Sequence, residues 1–335
     1  MMVSLLLRST RPWIPSLLGL ALVIGANSHV AAQVQIEQVG TIAGPADLVK
    51  VDGSRAFVTH RRTFTVFDVS NPATPQRQGA LTLPEQIWKF SIRGNRAYLG
   101  ANFHGLAILD ISNPAAPREL SAFRSLGQTK NGAVYDTKVG LVDHMEGFVL
   151  IDNSNESEPQ SIGSYFLDGY ARDVVTSGSI AYATDSPTGV YVFDLAQSGL
   201  PEPVGVVHAP AAPRNALQVT DLPNGSKILA GTGQGGLQVY DVTDPTAPVK
   251  TATFDTPGQA LGLALRGHLA YVADGDAGLQ VVDLSDPGAP EIITSFPTSR
   301  PARDVAASDS LVLVVVGQGE REGDDRDVLV MRTTP

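Results

Sequence analysis

Three histidines in the first half of the chain are the residues best suited to acid–base or metal chemistry. His60, His104 and His144 each lie a few residues before an apolar stretch. Imidazole titrates near neutral pH and is the commonest metal ligand, so three imidazoles that converge could act as acid and base or bind a divalent cation. Their positions in the repeat described below differ by several residues, so we weigh such a site against three separate loop histidines.

Two Ala-Arg-Asp-Val sequences place a cation next to a carboxylate. They contain Arg172–Asp173 and Arg303–Asp304 and lie three repeats apart. An adjacent guanidinium and carboxylate can orient an anionic or sugar-like ligand through charge-assisted hydrogen bonds, and Asp173 and Asp304 are therefore also catalytic candidates. The alternative is structural: each aspartate accepts hydrogen bonds from backbone N–H groups between repeats, while each arginine is solvated or pairs with a neighbour.

Acidic sequences offer only weak candidates for metal binding. Asp274-Gly-Asp276 resembles the beginning of a calcium loop, but no glutamate follows at the twelfth position, and a turn is the simpler interpretation. The acidic stretch 320–327 is interpreted as a solvated insertion. We predict no cofactor and leave a divalent cation open. The sequence motifs of serine hydrolases, zinc proteases, phosphate-binding loops and dinucleotide-binding folds are absent from the sequence.

An internal repeat of about 42 residues positions these candidates. Six copies of an apolar strand end in an aspartate followed by a turn sequence, as in GLAILDISNPAAP and GLQVVDLSDPGAP. The aspartates are separated by 42 residues, apart from one interval of 47, and are Asp68, Asp110, Asp152, Asp194, Asp241 and Asp283. This regularity indicates one supersecondary unit that recurs along the chain.

The residue types at each position of the repeat fit a particular backbone conformation or environment. The opening glycine, such as Gly105, can adopt the positive φ of a tight turn. Apolar residues on both faces of the following strand fit a strand that is covered by neighbouring sheets. Asn or Asp before proline favours an Asx-type turn. A second proline is tolerated at a sheet edge, so the last strand of each unit should be outermost.

Four short strands per unit predict a β-propeller blade. In residues 258–297 we expect strands at Ala260–Leu265, His268–Ala273, Gly278–Leu284 and Glu291–Phe296. Asp327–Met331 supplies a seventh third strand, and Val34–Ile42 should complete that last blade as its outer strand. We therefore predict an all-β, seven-bladed β-propeller of four-stranded antiparallel blades, closed by the N-terminal strand.

The repeat resembles that of the LVIVD-repeat family of β-propellers, whose signature is an apolar strand ending in Asp followed by [VIL]-[ST]-[ND]-P-x-x-P. The resemblance covers residues 34–335 and is clear in blades 1, 2, 5 and 6. Blade 3 departs most, because Asn153-Ser-Asn-Glu156 lacks the turn proline and the second strand near Gly140–Asp143 is short, which predicts irregular turns. The resemblance implies an extracytoplasmic bacterial or archaeal protein. It implies no activity, because most members lack an assigned one.

A propeller brings two sets of loops to one face, which we call the top face. These are the loops from an outer strand to the next inner strand and the loops from second to third strand. Ligands usually bind there, around the central channel. Residues near the beginnings of inner strands are therefore the ligand-binding candidates: Trp88, Lys89, Tyr135, Tyr170, Arg172, Arg214 and Arg303.

Composition and the N-terminus limit the remaining classes of function. The chain has 335 residues, a formal net charge of −10 and no cysteine, which argues against nucleic-acid binding, disulfides and thiolate chemistry. Arg8 and Arg11 precede a short apolar run that ends at Ala31–Ala32, which predicts a signal peptide over residues 1–32 with cleavage after Ala32. Residues 33–335 should then form one domain without a membrane span, in a secreted or periplasmic monomer.

These observations favour a rigid binding or scaffold module for a protein or glycan ligand, without chemistry of its own. The alternative is a carbohydrate lyase, hydrolase or isomerase in which one of the three histidines is the base and Arg172 or Arg303 holds an anion. Propellers host both roles, so the fold alone does not decide between them. Imidazoles that face one another in one pocket beside a carboxylate would favour the enzyme.

Overall fold

The computed structural model describes residues 34–186, 188–209, 212–233, 236–318 and 326–334. The predicted signal peptide over residues 1–32, its cleavage site and residues 320–325 of the acidic stretch lie outside these described residues. The described residues form seven four-stranded sheets in which neighbouring strands run antiparallel. They contain no helix long and apolar enough to cross a membrane. The predicted all-β propeller of seven blades is confirmed.

The first strand does not belong to the sheet of the strands that directly follow it in the chain. Six complete blades and three further strands come after it. In chain order the strands are β1 (Gln35–Ile42); β2 (Leu48–Asp52), β3 (Arg55–His60), β4 (Thr63–Asp68), β5 (Gln76–Thr82); β6 (Lys89–Arg93), β7 (Arg96–Gly100), β8 (Leu106–Asp110), β9 (Arg118–Phe123); β10 (Thr129–Tyr135), β11 (Lys138–Asp143), β12 (Gly147–Asp152), β13 (Gln160–Tyr165); β14 (Tyr170–Ser177), β15 (Ile180–Ser186), β16 (Gly189–Asp194), β17 (Pro203–His208); β18 (Ala216–Asp221), β19 (Lys227–Gly233), β20 (Gly236–Asp241), β21 (Val249–Phe254); β22 (Gly262–Arg266), β23 (Leu269–Ala273), β24 (Leu279–Asp283), β25 (Glu291–Phe296); β26 (Ala302–Ala307), β27 (Leu311–Gly317) and β28 (Arg326–Thr334).

The ring is closed by its N-terminal strand. Strand β1 pairs antiparallel with β28, from Gln35 opposite Thr334 to Ile42 opposite Val328, and so becomes the outer strand of blade 7. Blade 7 therefore contains strands from both ends of the chain, as predicted. The pairing gives β28 a hydrogen-bonded neighbour on both sides, and β1 becomes the edge strand of this sheet, like the outer strand of every other blade. In blade 6 the predicted strands are also confirmed, with bounds that differ by one or two residues.

The core lies between blades, where the apolar third strands pack against their neighbours. Leu279, Val281 and Val282 in β24 are fully buried, as expected for a strand that is covered on both faces. Phe148 of blade 3 stacks on Phe193 of blade 4 with ring centroids 3.9 Å apart. Burial of such side chains in all seven gaps holds the blades in fixed positions.

The turn sequence of the repeat fits against the outer strand of the preceding blade. In blade 2, Asn113 accepts a hydrogen bond from Ala115 N at 3.1 Å, which is the predicted Asx-type turn. The Pro114 carbonyl in this turn faces Gly79 of blade 1, and a Cβ on Gly79 would lie 2.5 Å from it. Glycine allows this close approach because it has no side chain.

Two expectations for blade 3 are wrong. Its second strand, β11, spans Lys138–Asp143 and has 6 residues, where its equivalents have between 5 and 7. Its turn is regular, since Asn155 accepts a hydrogen bond from Ser157 N at 3.2 Å. Glu156 occupies the place of the missing proline and binds Arg96 of blade 2 through both carboxylate oxygens, at 2.9 and 2.8 Å from Nε. At the position where other repeats have the proline, blade 3 therefore forms an ion pair with blade 2.

Candidate functional site

The seven inner strands surround a central channel with a volume of about 510 Å³. Its wall carries charged and amide side chains from six of the seven blades, namely Lys50, Lys89, Asn131, Asp173, Asn215 and Asp304. Each of these residues lies in an inner strand or directly before one. Polar side chains therefore line the channel together with apolar ones such as Phe90 and Leu263.

Asp173 connects three blades near the top of the channel. Its carboxylate forms an ion pair with Lys89 of blade 2 and accepts a hydrogen bond from Asn131 Nδ2 of blade 3 at 2.7 Å. It also accepts a hydrogen bond from the Val174 backbone N–H at 2.9 Å. Asp173 is 5% exposed, and its oxygens are engaged by the protein itself. These contacts match the structural alternative for this aspartate.

Asp304 connects the last blade to the first. Its Oδ2 accepts a hydrogen bond from Val49 N at 2.9 Å, across the junction between blades 7 and 1. Burial raises the pKa of the Asp304 carboxyl, and nearby Lys50 acts in the opposite direction. The neighbouring Arg303 donates from Nε to Gly317 O in its own blade at 3.0 Å. This pair too has a structural role in the geometry observed.

The three histidines contact three different groups in three different blades. His60 Nδ1 lies 3.4 Å from Asp47, which also binds Arg326 of blade 7. His104 Nε2 lies 2.7 Å from Glu119 in the outer strand of its own blade. His144 stacks on Tyr170 of blade 4, with ring centroids 4.7 Å apart. These contacts therefore do not bring the three imidazoles into one shared pocket, which the enzymatic alternative required.

Asp274 holds two loops of blade 6 together. It is fully buried, and its oxygens accept hydrogen bonds from Thr256 Oγ1 at 2.6 Å and Gly258 N at 2.9 Å. Burial raises the pKa of its carboxyl. With both oxygens engaged, Asp274 fits the turn that we favoured over a calcium loop with Asp276. Within the part of the chain that the structure describes, no three His, Asp or Glu side chains are grouped so that they could hold a metal ion.

Equivalent aspartates in blades 3 and 4 have the same role, which sequence reasoning missed. Asp143 accepts hydrogen bonds from Ser125 Oγ at 2.6 Å and from two backbone N–H groups in the loop that follows β11. Asp185 accepts a hydrogen bond from Gly169 N at 2.7 Å. Each lies four residues before the glycine that opens a third strand, like Asp274. That register was visible in the sequence and could have identified them.

One ligand-binding candidate lies at the wrong end of its strand. Tyr135 ends β10 and pairs with Lys138, next to a turn in which Asp136 has a φ of 50°. This turn joins the first strand to the second, so it lies on the face opposite the top face. The prediction for Tyr135 took the end of an inner strand for its beginning. Arg214, by contrast, lies in a top-face loop, where its backbone N–H donates to Thr232 O at 3.0 Å.

Lys130 and Trp88 form a cation–π pair on the top face. The Lys130 ammonium lies 3.7 Å from the centre of the Trp88 ring, and Gln128 Oε1 accepts a hydrogen bond from it at 2.9 Å. Trp88 Nε1 donates to Asn102 Oδ1 at 3.4 Å, and Asn102 has a φ of 52°, a conformation that asparagine tolerates better than most residues. These contacts join the loops of blades 2 and 3.

Exposed apolar side chains cluster around this pair. Six of the eight large apolar residues that are most exposed among those described lie in top-face loops or at a strand start in blades 2, 3 and 4. We call this cluster the top-face patch, and it consists of Trp88, Phe103, Leu126, Met145, Phe166 and Tyr170. Sequence analysis identified Trp88 and Tyr170 but missed the other four, because exposure of a single apolar loop residue leaves no periodic signal.

Neighbouring loops of the top-face patch contact one another. Leu126 N donates to Glu146 Oε2 at 2.8 Å, and a Cβ on Gly127 would lie 2.7 Å from Met145 Cγ. His144 N donates to Gln128 O at 3.1 Å. Together with the stacking of His144 on Tyr170, these contacts connect the loops from blade 2 to blade 4. The patch is therefore one surface carried by a rigid frame.

Comparison with known proteins supports the fold and the repeat. The LVIVD repeat family matches residues 43–81, 86–124, 139–166 and 257–298, in blades 1, 2, 3 and 6. The matched ranges include blade 3, where we expected the largest departure from the repeat, and three of the four blades in which we expected a clear resemblance. No curated protein sequence matches the chain.

Two solved structures show similar folds at low sequence identity. The Cps50 (Swd1) β-propeller domain of Myceliophteria thermophila is 12% identical, with a TM-score of 0.68 over 90% of this chain and 100% of that chain. The computationally designed Ika8 protein is 10% identical, with a TM-score of 0.60 over 88% of this chain and 99% of that chain. At such identities the likeness concerns the fold alone.

Proposed function

Because the chain carries LVIVD repeats and closes into seven blades, we propose that it is a rigid extracytoplasmic binding module whose top face recognises a protein or glycan. The top-face patch is the observation that carries this proposal. Six exposed large apolar side chains are grouped there on one face, and exposed apolar surface of this kind marks interaction sites in folded proteins. Here it occupies the face of the propeller that ligands usually use.

The loops that carry the patch are preorganised for binding. Asp143 and Asp185 hold the bases of loops in blades 3 and 4 through hydrogen bonds to loop N–H or hydroxyl groups. In blade 2, Asn102 bridges Trp88 and Glu85 Oε2, to which its amide donates at 3.3 Å. A surface that is already ordered loses little conformational entropy when a ligand binds. This rigidity supports a binding or scaffold role.

Export from the cytoplasm is the second part of the proposal. It rests on the sequence, in which two arginines, a short apolar run and small residues before Gln33 fit a cleavable signal peptide. The absence of cysteine is compatible with an oxidising compartment, since no thiol can form an unintended disulfide. A partner would then be a surface or secreted protein, or a cell-envelope glycan.

Fluorescence of Trp88 tests binding at the patch directly. The chain contains two tryptophans, and Trp13→Phe in the full chain leaves Trp88 as the only one. We expect its emission to change on titration with ligands drawn from a glycan panel and from short peptides selected by display on the immobilised chain. A ligand that binds elsewhere leaves the emission unchanged.

Matched substitutions separate the patch from other apolar surface. Leu126→Ser and Phe166→Ser should each weaken binding about 10- to 100-fold, the equivalent of burying one large apolar side chain. Val249→Ser is the control, because Val249 is also an exposed apolar residue but lies in the outer strand of blade 5. Ligands that bind all three variants as tightly as the unmodified chain would contradict the proposed binding face.

A further inference from the structure

Two cations beside the top-face patch have no carboxylate partner: Lys130 and Arg172 directly precede Asn131 and Asp173, whose side chains are hydrogen-bonded to each other at 2.7 Å. Lys130 is 9% exposed, and its ammonium contacts Gln128 Oε1 and the Trp88 ring. Arg172 is exposed, and its guanidinium lies 5.8 Å from the centre of the Tyr170 ring. Among the described residues neither side chain forms an ion pair with Asp or Glu. In a chain whose net charge is −10, two such cations in one place need an explanation.

The two cations also repel each other. Burial lowers the pKa of Lys130, and the nearby Arg172 lowers it further, whereas Asp143 acts weakly in the opposite direction. The oxygens of Asp143 are already engaged by Ser125 and by loop N–H groups. No carboxylate among the described residues contacts the Lys130 ammonium, so an anion that binds here would relieve both the cost of burying this cation and its repulsion from Arg172.

We propose that the Lys130–Arg172 pair receives a carboxylate from a polypeptide segment whose flanking large apolar side chains cover the rest of the top-face patch. The inference rests on the proposed binding function and specifies its partner. The carboxylate would lie between the Trp88 and Tyr170 rings, where Lys130 and Arg172 donate charge-assisted hydrogen bonds to it.

The chemistry of the surrounding residues favours a polypeptide over an acidic glycan. Phe103, Leu126, Met145 and Phe166 offer no side-chain hydrogen bonds, so they suit apolar side chains better than sugar hydroxyl groups. Aromatic residues, methionine and arginine are also the residue types enriched at protein interfaces. Methionine adapts its shape to irregular apolar surfaces. The occupant is therefore inferred to be an acidic segment with large apolar neighbours.

Display of short random peptides on the immobilised full chain tests the inference. We expect the selected peptides to be enriched in Asp or Glu next to Leu, Phe, Trp or Met. Lys130→Gln and Arg172→Gln should each weaken the binding of the best peptide by about 10- to 100-fold. Arg172 is exposed, so its substitution leaves the fold intact even if Lys130→Gln lowers stability.

Lys250→Gln is the matched control for the lysine. Lys250 also donates to a glutamine, at 3.1 Å, lies 5.9 Å from a tyrosine ring, and has a pKa lowered by burial, but it belongs to the outer strand of blade 5. We expect this variant to bind like the unmodified chain. Changing the acidic residue of the peptide to its amide should weaken binding as much as Lys130→Gln does. The two changes together should weaken binding little more than either one alone.

Other outcomes separate this inference from the proposed function. Peptides that bind the patch without an acidic residue, or that tolerate Lys130→Gln and Arg172→Gln, would overturn the inferred carboxylate while the binding face remains. Patch binding by acidic glycans and by no peptide would overturn the polypeptide partner. Ligands that all bind away from the patch, or no ligand of either class, would contradict both.

Discussion

Substitution of Gly40 by alanine tests how the ring is closed. Gly40 lies in β1, and a Cβ at this position would lie 2.0 Å from the Pro72 carbonyl oxygen and 3.1 Å from its carbon in blade 1. Both atoms belong to the backbone, so the clash cannot be relieved by rotating a side chain. Gly40 does not have a positive φ, and the effect of Gly40→Ala therefore reports the contact and not backbone strain.

The magnitude follows from the size of the overlap. The Cβ–oxygen distance must increase from 2.0 Å to at least 3.0 Å, which requires β1 to move away from the turn of blade 1. Overpacking of this kind costs about 1–3 kcal/mol. With an unfolding entropy of about 2.1 cal/mol/K per residue and roughly 300 folded residues, the expected decrease in Tm is about 2–5 °C.

Calorimetry of the unmodified chain, Gly40→Ala and Gly288→Ala provides the measurement. Gly288 is the control, because the nearest atom to its Cβ position is Asp286 Oδ1 at 3.3 Å, the tip of an exposed side chain. We expect Gly288→Ala to change Tm by less than about 1 °C. Equal Tm values for the two variants would refute the packing of the N-terminal strand of blade 7 against blade 1.

Three further predictions concern an ion pair, an acidic pH range and export. Glu156→Gln should lower the free energy of unfolding by about 0.5–1 kcal/mol in urea titrations, because it removes a partly exposed ion pair with Arg96 between blades 2 and 3; an unchanged midpoint would contradict this role. Hydrogen bonds from Ser112, with help from Arg96 and Arg118, hold the pKa of Asp110 at about 2. This carboxylate therefore stabilises the fold above its ordinary pKa of 3.8, and the contribution is lost as the pH falls towards 2. In urea titrations the stability difference between the unmodified chain and Asp110→Asn should accordingly shrink between pH 5 and pH 2.5, and a constant difference would argue against it. N-terminal sequencing of the exported protein should begin at Gln33, and a sequence that still contains residues 1–32 would contradict the signal peptide.

Much of the fold could be predicted because each copy of the repeat marks the third strand of a blade and the turn that follows it. The aspartate that ends the third strand recurs in six copies, four of which continue into an Asn-Pro or Asp-Pro turn, so the copies define the strand order and the register. The position of β1 followed from the missing outer strand of blade 7 and is confirmed by its pairing with β28. Blade 3 was misjudged because the motif was taken as necessary, although Asn155 makes the turn without the proline and Glu156 adds an ion pair.

The site was only partly predictable, because contacts between blades join residues that are far apart in sequence. The loop position of Trp88 indicated the top face, but nothing in the sequence placed Lys130 against its ring, since the two residues belong to different blades. Asp173 and Asp304 were recognised as a recurring pair, yet their partners, Lys89 and Val49 N, lie in other blades. Tyr135 was assigned to the wrong face because we took it for the first residue of its inner strand. It is the last residue of that strand and lies next to the turn into the second strand.

A crystal structure of the full chain with its tightest-binding selected peptide tests the central claim most directly. The proposed function places the peptide across blades 2–4, in contact with Leu126 and Phe166, and the further inference places an acidic side chain between Trp88 and Tyr170. A peptide seated on the opposite face, along the outer strands or within the central channel alone would contradict the assignment of the top-face patch as the binding surface.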